Sequence, residues 1–220
     1  MHAALGEPVR LAIVDHLALG DASPGALGQE FELATNLLAH HLKVLQDAGL
    51  IRRVRSEGDG RRSYVQLVLD NPWVTALIPA IGPGRKESAG RVVFVCTRNS
   101  ARSQLAAAAW ARASTVPATS AGTHPAARVH PRAVRVGRRH GLHLSAGATA
   151  DLTDVARPGD LLVAVCDNAF EELPPGQTQL HWAVPDPVRV NSDAAFETAY
   201  EQITRRVERL ADALHTCGSR

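Results

Sequence analysis

Cysteine is scarce in this sequence. Only three of the 220 residues are cysteines, and residues 1–95 contain none. Cys96, Cys166 and Cys217 are widely separated and odd in number, so they cannot form a complete set of disulfides. This usage is typical of a reducing compartment, in which free thiols perform chemistry. At least one of the three cysteines therefore needs an explanation of its own.

Long apolar runs and a dominant charge are also absent. No apolar stretch approaches the roughly 20 residues that a membrane-spanning helix needs. Met1–Arg10 lacks the basic start and the continuous apolar core of a secretory signal. Lys and Arg number 24 against 22 Asp and Glu, and 45% of the residues are hydrophobic, which excludes disordered and fibrous classes. We expect a globular protein of the cytoplasm, without contact to a membrane and with room for two small domains.

A change of composition predicts where the two domains separate. The segment IGPGRKESAG, at Ile81–Gly90, concentrates glycine, proline and charge between two well-patterned regions. Such segments are typical of exposed linkers. We predict a first domain over residues 1–78, a linker over 79–90 and a second domain over 91–220.

The first domain has the pattern of helices followed by a hairpin. Apolar spacing and stop signals predict helices over Pro8–Leu19, Pro24–Phe31 and Thr35–Ala48, then strands over Leu50–Arg55 and Arg62–Leu69. In the third helix the leucines form one stripe, and a polar face of a kind that fits a DNA major groove lies opposite. The predicted fold is an α+β winged helix-turn-helix.

Two stretches carry a family resemblance. LGEPVRLAIVDHL and LAHHLKVLQDAGLIRRVRSEGDGRRSYVQL resemble the winged-helix repressors of the arsenic-repressor (ArsR) family. The resemblance implies a homodimer, with Trp73–Ile81 as a candidate contact, that binds a double-stranded DNA operator. It implies DNA contacts from the third helix through Thr35, Asn36, Ala39, His40 and Lys43, and phosphate contacts from the wing through Arg52, Arg53, Arg55, Arg61 and Arg62.

The distribution of charge and the lack of cysteine limit what this resemblance implies for the first domain. Residues 1–75 hold seven basic and nine acidic side chains, whereas Arg52–Arg62 alone holds five basic and two acidic ones, so positive charge is concentrated on the wing. Metal-sensing members of the family usually carry a cysteine pair, and a thiolate arsenite site is excluded here because the domain has no cysteine. His40 and His41 point about 100° apart on a helix and are not expected to share a metal ion. We predict no metal site.

The second domain opens with the most specific motif of the chain. The apolar strand RVVFV leads into Cys96-Thr97-Arg98-Asn99-Ser100-Ala101-Arg102-Ser103, and a helical, alanine-rich run follows. Five residues between Cys96 and Arg102 let the backbone curl around a tetrahedral anion, with amide N–H groups and the guanidinium directed at its oxygens. The same positive field favours the Cys96 thiolate, a competent nucleophile. Asp186, between two prolines in Val184-Pro185-Asp186-Pro187, is the candidate general acid.

A second resemblance covers residues from about Arg91 to Leu214. VFVCTRNSARSQLA, TSAGT at Thr119–Thr123 and VPDP resemble the low-molecular-weight tyrosine phosphatases and the arsenate reductases built on their fold. The resemblance implies an α/β fold with a four-stranded parallel sheet. It implies Cys96 as nucleophile, Arg102 as oxyanion clamp and Asp186 as acid, with Asn99 and Ser103 supporting the loop. The buried-strand run Leu161–Val165 and the amphipathic run Asp193–Leu214 agree with such a fold.

The substrate class remains open between alternatives. Phosphatases of this type usually place aromatic residues just after the Asp-Pro pair, but here Val188-Arg189-Val190 follows. The run NSARSQ is more similar to the reductase loop. We therefore favour a bifunctional arsenic-responsive protein, a DNA-binding regulator joined to an arsenate reductase. The alternatives are a regulator joined to a tyrosine phosphatase, and a transcription factor whose second domain only senses an oxyanion.

Reduction of arsenate needs a second thiol. By resemblance, thioredoxin-coupled reductases carry two resolving cysteines seven positions apart; Cys166 matches the first and Leu173 occupies the second. Three candidates for the second thiol stay open: Cys166 attacking the Cys96 adduct, Cys217 in its place, or an external thiol. We expect no bound cofactor and an external donor such as mycothiol, glutathione or a thioredoxin system.

Overall fold

The chain divides into two compact units. A computed structural model describes residues 2–81, 89–144, 149–174 and 179–215. The first unit lies mainly before Glu87 and the second mainly from Glu87 onward. Within the described part of the chain, no helix has both the length and the apolar character needed to cross a membrane.

The N-terminal unit is a helix-turn-helix followed by an antiparallel strand pair. Its elements are α1 (His2–Leu5), α2 (Pro8–Leu19), α3 (Pro24–Glu30), α4 (Thr35–Asp47), β1 (Ile51–Arg55), β2 (Ser63–Leu67) and α5 (Pro72–Ile81). Two helices begin at a capping side chain followed by proline: the Glu7 carboxylate accepts from Val9 N–H at 3.2 Å, and Ser23 Oγ accepts from Ala26 N–H at 3.1 Å. These local signals set the helix starts that the sequence predicts.

One apolar core holds this unit together. Ile13, Val14 and Leu17 of α2 pack with Leu38, Leu42 and Leu45 of α4, and with Ile51, Val65 and Leu67 of the strand pair. The strands pair from Ile51 opposite Leu67 to Arg55 opposite Ser63. Because the stripe of α4 faces this core, the rest of its surface is left for solvent or a partner.

The boundaries differ from the sequence expectation at several points: α3 and α4 each end one residue earlier than predicted, at Glu30 and Asp47, and β2 begins one residue later, at Ser63. The short helix α1 is not predicted by periodicity, and both strands are shorter than predicted at their outer ends. The helix α5 continues to Ile81, so residues 79–81, which the sequence assigns to a linker, are helical. Residues 82–88 of the predicted linker lie outside the described residues.

The C-terminal unit contains a parallel sheet with helices packed on it. Its elements are β3 (Val92–Cys96), α6 (Arg102–Ala113), β4 (Ala118–Gly122), α7 (Pro131–Arg139), α8 (Leu152–Val155), β5 (Leu161–Ala164), α9 (Asp167–Glu172), β6 (Gln179–His181), α10 (Pro187–Val190) and α11 (Asp193–His215). The strand order is β4-β3-β5-β6, and all three pairings are parallel. This confirms the predicted four-stranded parallel sheet.

The interior strand β3 sets the position of the candidate site. All five of its residues are buried, and Phe94 lies between Trp110 and Trp182, each with its ring centroid 5.8 Å from that of Phe94. Cys96 pairs with Gly122 of β4, and Val95 pairs with Ala164 of β5. Since parallel strands end at the same edge, the chain segments that follow β3, β4 and β5 converge there.

Candidate active site

Cys96 lies at the end of β3, where the chain turns into the loop that leads to α6. Its side chain is buried, and Cys96 Sγ lies 3.1 Å from Ser103 Oγ in the first turn of α6. Arg102 is the first residue of that helix, so the Cys-x5-Arg loop ends at a helix N-terminus. The positive end of the helix and the Ser103 hydroxyl both favour negative charge at this edge of the sheet.

Asn99 determines which way the Ser103 proton points. Its Oδ1 accepts from the Ala150 backbone N–H at 2.9 Å and from Gln104 Nε2 at 3.0 Å. That fixes the amide orientation, so Asn99 Nδ2 donates to Ser103 Oγ at 2.9 Å. The Ser103 hydroxyl hydrogen is therefore left to donate to Cys96 Sγ. Asn99 adopts φ +45°, in the left-handed region that asparagine tolerates better than most residues.

Gly122 allows the loop to approach the sheet closely. A Cβ added there would lie 2.9 Å from Thr97 O and 3.0 Å from Asn99 N, both of them backbone atoms that cannot move aside cheaply. Only glycine avoids this clash at the end of β4. The motif TSAGT contains this glycine, but the motif alone does not predict the close approach.

Arg102 and Asp186 come together from distant parts of the chain. Arg102 Nη1 donates to Val184 O at 2.9 Å, and Nη2 lies 3.4 Å from Asp186 Oδ1. Burial opposes the charge on Arg102, but the negative charges that Cys166, Cys96 and Asp186 can carry raise its pKa above the ordinary value. Asp186 is the N-cap of α10 and accepts from Val188 N–H at 3.1 Å, which holds its carboxylate at the edge of the site.

These side chains open into one cavity of about 410 Å³. Its lining consists of Cys96, Arg98, Ser100, Ala101, Arg102, Ala126, Ala127, Arg128, Val129, His130, Pro131, Asp186 and Val188. Three arginines and one carboxylate make the described lining positive, and none of the lining side chains is Phe, Tyr or Trp. The cavity thus offers charge to an anion and no aromatic surface to a phenol ring.

The predicted loop residues divide into two groups. Arg98 and Ser100 line the cavity and Ala101 closes its wall, whereas Thr97 and Asn99 hold the loop from behind. The backbone of Ser100 also accepts from His130 N–H at 2.8 Å. His130 is a cavity residue that the sequence analysis missed. The available signal was a histidine directly before a proline at the start of a helix, which is a capping position.

Cys166 lies beside the loop although 70 positions separate it from Cys96. It follows β5, and its Sγ lies 3.6 Å from Thr97 Oγ1. Burial raises the pKa of the Cys166 thiol, Arg102 opposes that change, and a charge on Cys96 adds to it. The second cysteine position of the resemblance holds Leu173, which is buried at the end of α9. Cys217 lies outside the described residues.

In the N-terminal unit, the side chains predicted to contact DNA are all exposed to solvent. They include Thr35, Asn36, Ala39, His40 and Lys43 of α4 and the wing residues Arg53, Arg55, Arg61 and Arg62. His41 instead faces inward, with Nδ1 3.5 Å from Glu7 Oε2. Arg52 Nε donates to Gln66 Oε1 at 3.1 Å, which holds this arginine along the strand pair.

Among the described residues, no group of three or more His, Cys, Asp or Glu side chains is arranged to hold a metal ion. The fold and the loop instead define a class, a parallel α/β domain with a Cys-x5-Arg loop between an interior strand and a helix.

Comparisons with known proteins agree with this class. The sequence model described as low molecular weight phosphotyrosine protein phosphatase matches residues 91–219, and one described as helix-turn-helix domain matches residues 5–54. Arsenate reductase 2 of Staphylococcus saprophyticus is 30% identical over 131 residues, covering 55% of this chain and 95% of that protein. The glutaredoxin arsenate reductase of Synechocystis is 33% identical over 127 residues, covering 54% of this chain and 95% of that protein.

A solved structure agrees at the level of the fold. The tyrosine phosphatase Wzb from Escherichia coli K30, in complex with sulphate, aligns with a TM-score of 0.51 at 24% identity, covering 59% of this chain and 99% of that one. The chain belongs to the low molecular weight phosphotyrosine protein phosphatase family through its C-terminal domain, and its N-terminal domain is a helix-turn-helix.

Proposed function

We propose that the C-terminal domain is a thiol-dependent arsenate reductase. The observation that carries this proposal is the cavity, in which Cys96, Arg102 and Asp186 converge and the described lining has no aromatic side chain. A tetrahedral inorganic anion suits such a cavity, whereas a phosphotyrosine ring would lack stacking partners. The reductase names of the relatives above point in the same direction.

In the first chemical step, the Cys96 thiolate attacks the arsenic of bound arsenate. A sulfur–arsenic bond forms, one arsenic–oxygen bond breaks, and Asp186 supplies the proton with which the departing oxygen leaves as water. Arg102 and the loop amides balance the charge of the remaining oxygens. Ser103 holds the sulfur through the 3.1 Å contact before the attack.

In the second step, another thiolate attacks Cys96 Sγ. A disulfide forms, the electron pair of the sulfur–arsenic bond passes to arsenic, and arsenic leaves as arsenite while the two thiols are oxidised. Cys166 is the candidate within the described residues because it contacts Thr97. Burial raises the pKa of Cys166, and the nearby Arg102 guanidinium opposes that change and favours the thiolate that this attack requires. An external thiol then reduces the disulfide.

Purified full-length protein tests the proposal. Arsenate is supplied with a thioredoxin, glutathione or mycothiol system, and arsenite is measured for wild type, Cys96→Ser and Cys166→Ser. We expect arsenite from wild type and none from Cys96→Ser. Loss of turnover in Cys166→Ser with every donor would support an internal disulfide, and retained turnover with a small thiol would assign the second step to that thiol.

The family name gives the second candidate, a phosphatase. Asp186 is compatible with it, because protonation of a leaving oxygen is needed in both reactions. If wild type releases no arsenite with any donor but hydrolyses aryl phosphates, the phosphatase replaces the reductase. If neither reaction occurs and the anion still binds, the domain is a sensor.

We further propose that the N-terminal domain binds double-stranded DNA as an arsenic-repressor-type homodimer, so that one chain joins regulation to reduction. The exposed polar face of α4 and the arginines of the wing support this proposal. The exposed Trp73 of α5 supports a contact between two chains. The proposed catalytic roles of free thiols support a reducing compartment, the cytoplasm, for this activity.

A further inference from the structure

We propose that His130 is a neutral hydrogen-bond donor to the oxyanion bound in the cavity, acting through Nε2. This inference rests on the proposed anion site and adds a recognition residue to it. His130 lines the cavity together with Cys96, Arg102 and Asp186.

The capping role of His130 determines its tautomer. His130 is the N-cap of α7, and its Nδ1 accepts a hydrogen bond from the Arg132 backbone N–H at 3.2 Å. A nitrogen that accepts cannot carry the proton, so in the neutral ring the proton is on Nε2. No side chain or backbone group of the described residues accepts a hydrogen bond from Nε2. This donor is therefore available to a ligand.

Three contacts hold the ring in place. It stacks on Phe196 of α11 with 4.8 Å between ring centroids and 24° between planes. The His130 backbone N–H donates to Ser100 O, which links the start of α7 to the Cys96 loop. Together with the cap, these contacts preorganise the imidazole before any anion arrives, and preorganised donors contribute more to binding than mobile ones.

The surroundings keep the imidazole neutral. Burial lowers the pKa of His130, Arg132 lowers it further, and Asp186 opposes both. The other charged side chains that line the cavity are Arg98, Arg102 and Arg128, all of which disfavour a further positive charge. Protonation of Nδ1 would also break the cap on α7. A neutral histidine at a helix N-terminus is a known way to polarise an oxygen without adding charge.

The charged and the neutral donors therefore have different roles within the cavity. Arg102 and the loop amides supply charge to the oxygens near Cys96, and His130 supplies a neutral donor from α7. A donor of this kind discriminates by geometry, because it favours an anion that presents an oxygen to α7. The substrate class is a small tetrahedral oxyanion, and inorganic phosphate is a suitable probe because Cys96 cannot reduce it.

Protection of Cys96 from alkylation tests the inference without requiring turnover. Full-length wild type and His130→Ser are treated with iodoacetamide over a range of inorganic phosphate concentrations, and mass spectrometry quantifies alkylation of the Cys96 peptide. Serine can cap α7 but is too short to reach the anion. We expect His130→Ser to need about ten times more phosphate for the same protection, the loss of one hydrogen bond to a charged group.

Two further variants separate recognition from capping. His130→Asn keeps a capping oxygen, but its amide nitrogen does not reach the position of Nε2, so it should lose protection as His130→Ser does, whereas His130→Ala also removes the cap and should lower the melting temperature as well. Equal protection of wild type and His130→Ser would overturn the inference. If phosphate fails to protect wild type, the proposed anion site itself is wrong.

The pH dependence of phosphate protection tests whether the His130 imidazole is neutral. Because the pKa of His130 lies below its ordinary value of 6.5, the ratio between wild type and His130→Ser should stay constant from that pH upward. An advantage of wild type that grows as pH falls through this value would assign the effect to an imidazolium and contradict a neutral donor.

Discussion

At the residue scale, the site depends on a short chain of hydrogen bonds with a defined direction. Asn99 donates to Ser103, which leaves the Ser103 proton for Cys96. The direction follows from the two donors that occupy Asn99 Oδ1, one of them the backbone N–H of Ala150. A buried network in which each donor has one acceptor holds the sulfur in one orientation.

Removal of the Ser103 hydroxyl should therefore slow the chemistry of Cys96. We expect Ser103→Ala to lower the rate of Cys96 alkylation at neutral pH by about tenfold or more, the value of one hydrogen bond to an anion. Rates of iodoacetamide alkylation of the Cys96 peptide, measured for wild type and Ser103→Ala at pH 7, test this.

Ser192→Ala is the matched control for that experiment. Ser192 Oγ caps α11, a different helix from the one that carries Ser103, by accepting from Ala195 N–H at 3.2 Å. Its removal should affect stability and leave alkylation unchanged. An unchanged alkylation profile in Ser103→Ala would show that Ser103 does not act on the sulfur.

At the scale of elements, the parallel register of β3 and β5 brings the residues of the site together. One ion pair fixes that register where the two strands begin. Arg91, before β3, donates through Nε and Nη2 to both carboxylate oxygens of Asp160, before β5, at 2.9 and 2.6 Å. The Asp160 side chain is only 5% exposed. The paired starts of β3 and β5 determine that Cys96 and Cys166 follow the same edge of the sheet.

This ion pair should contribute stability that depends on pH. Arg91 and the Arg157 backbone N–H stabilise the carboxylate, and the pKa of Asp160 is lowered despite burial. Its contribution is complete above the unfolded-state value of about 3.9 and disappears as the pH falls through the lower folded-state pKa. We expect Asp160→Asn to lose about 2 kcal/mol of unfolding free energy at pH 7.

The measurement is urea unfolding at pH 7 and at pH 3, followed by the fluorescence of the buried Trp110 and Trp182. The difference between wild type and Asp160→Asn should narrow at the lower pH. Asp154→Asn, an exposed change in α8, should stay within about 0.5 kcal/mol of wild type. A difference that is the same at both pH values would contradict the assigned carboxylate role.

At the scale of the whole molecule, one chain joins a helix-turn-helix to a phosphatase-family domain. The α4 face and the wing differ from the oxyanion cavity in the kind of anion they suit. In the proposed function the cavity takes a single tetrahedral group, whereas the exposed arginines and Lys43 form an open surface that suits the spaced phosphates of a duplex.

Salt dependence should reveal these phosphate contacts. Arg53→Ala and Lys43→Ala should each weaken binding to a random-sequence duplex and reduce the slope of log affinity against log salt by about 1. Fluorescence anisotropy at several salt concentrations measures this. Arg138→Ala, an exposed arginine of α7 that forms no ion pair with the residues that the structure describes, is the control and should leave the slope unchanged. Slopes equal to wild type in both test variants would remove these residues from the DNA contact.

The sequence by itself determined most of the elements and the Cys-x5-Arg loop. Periodicity, capping residues and proline positions predict α2, α3, α4 and β3 closely, because these signals act within one or two turns of chain. The Cys-x5-Arg loop is equally local, since seven consecutive residues build it. Asp186 was recognisable from its two flanking prolines and from resemblance.

Only the tertiary structure decided which distant residues share the site. The proximity of Cys166 to Thr97, the close approach permitted by Gly122 and the place of His130 in the cavity all arise from parallel strands ending at one edge. Local spacing carries no information about such neighbours, because the register between strands depends on packing across the whole sheet. The pattern of the chain therefore specified the proposed nucleophile, Cys96, and the fold specified its surroundings.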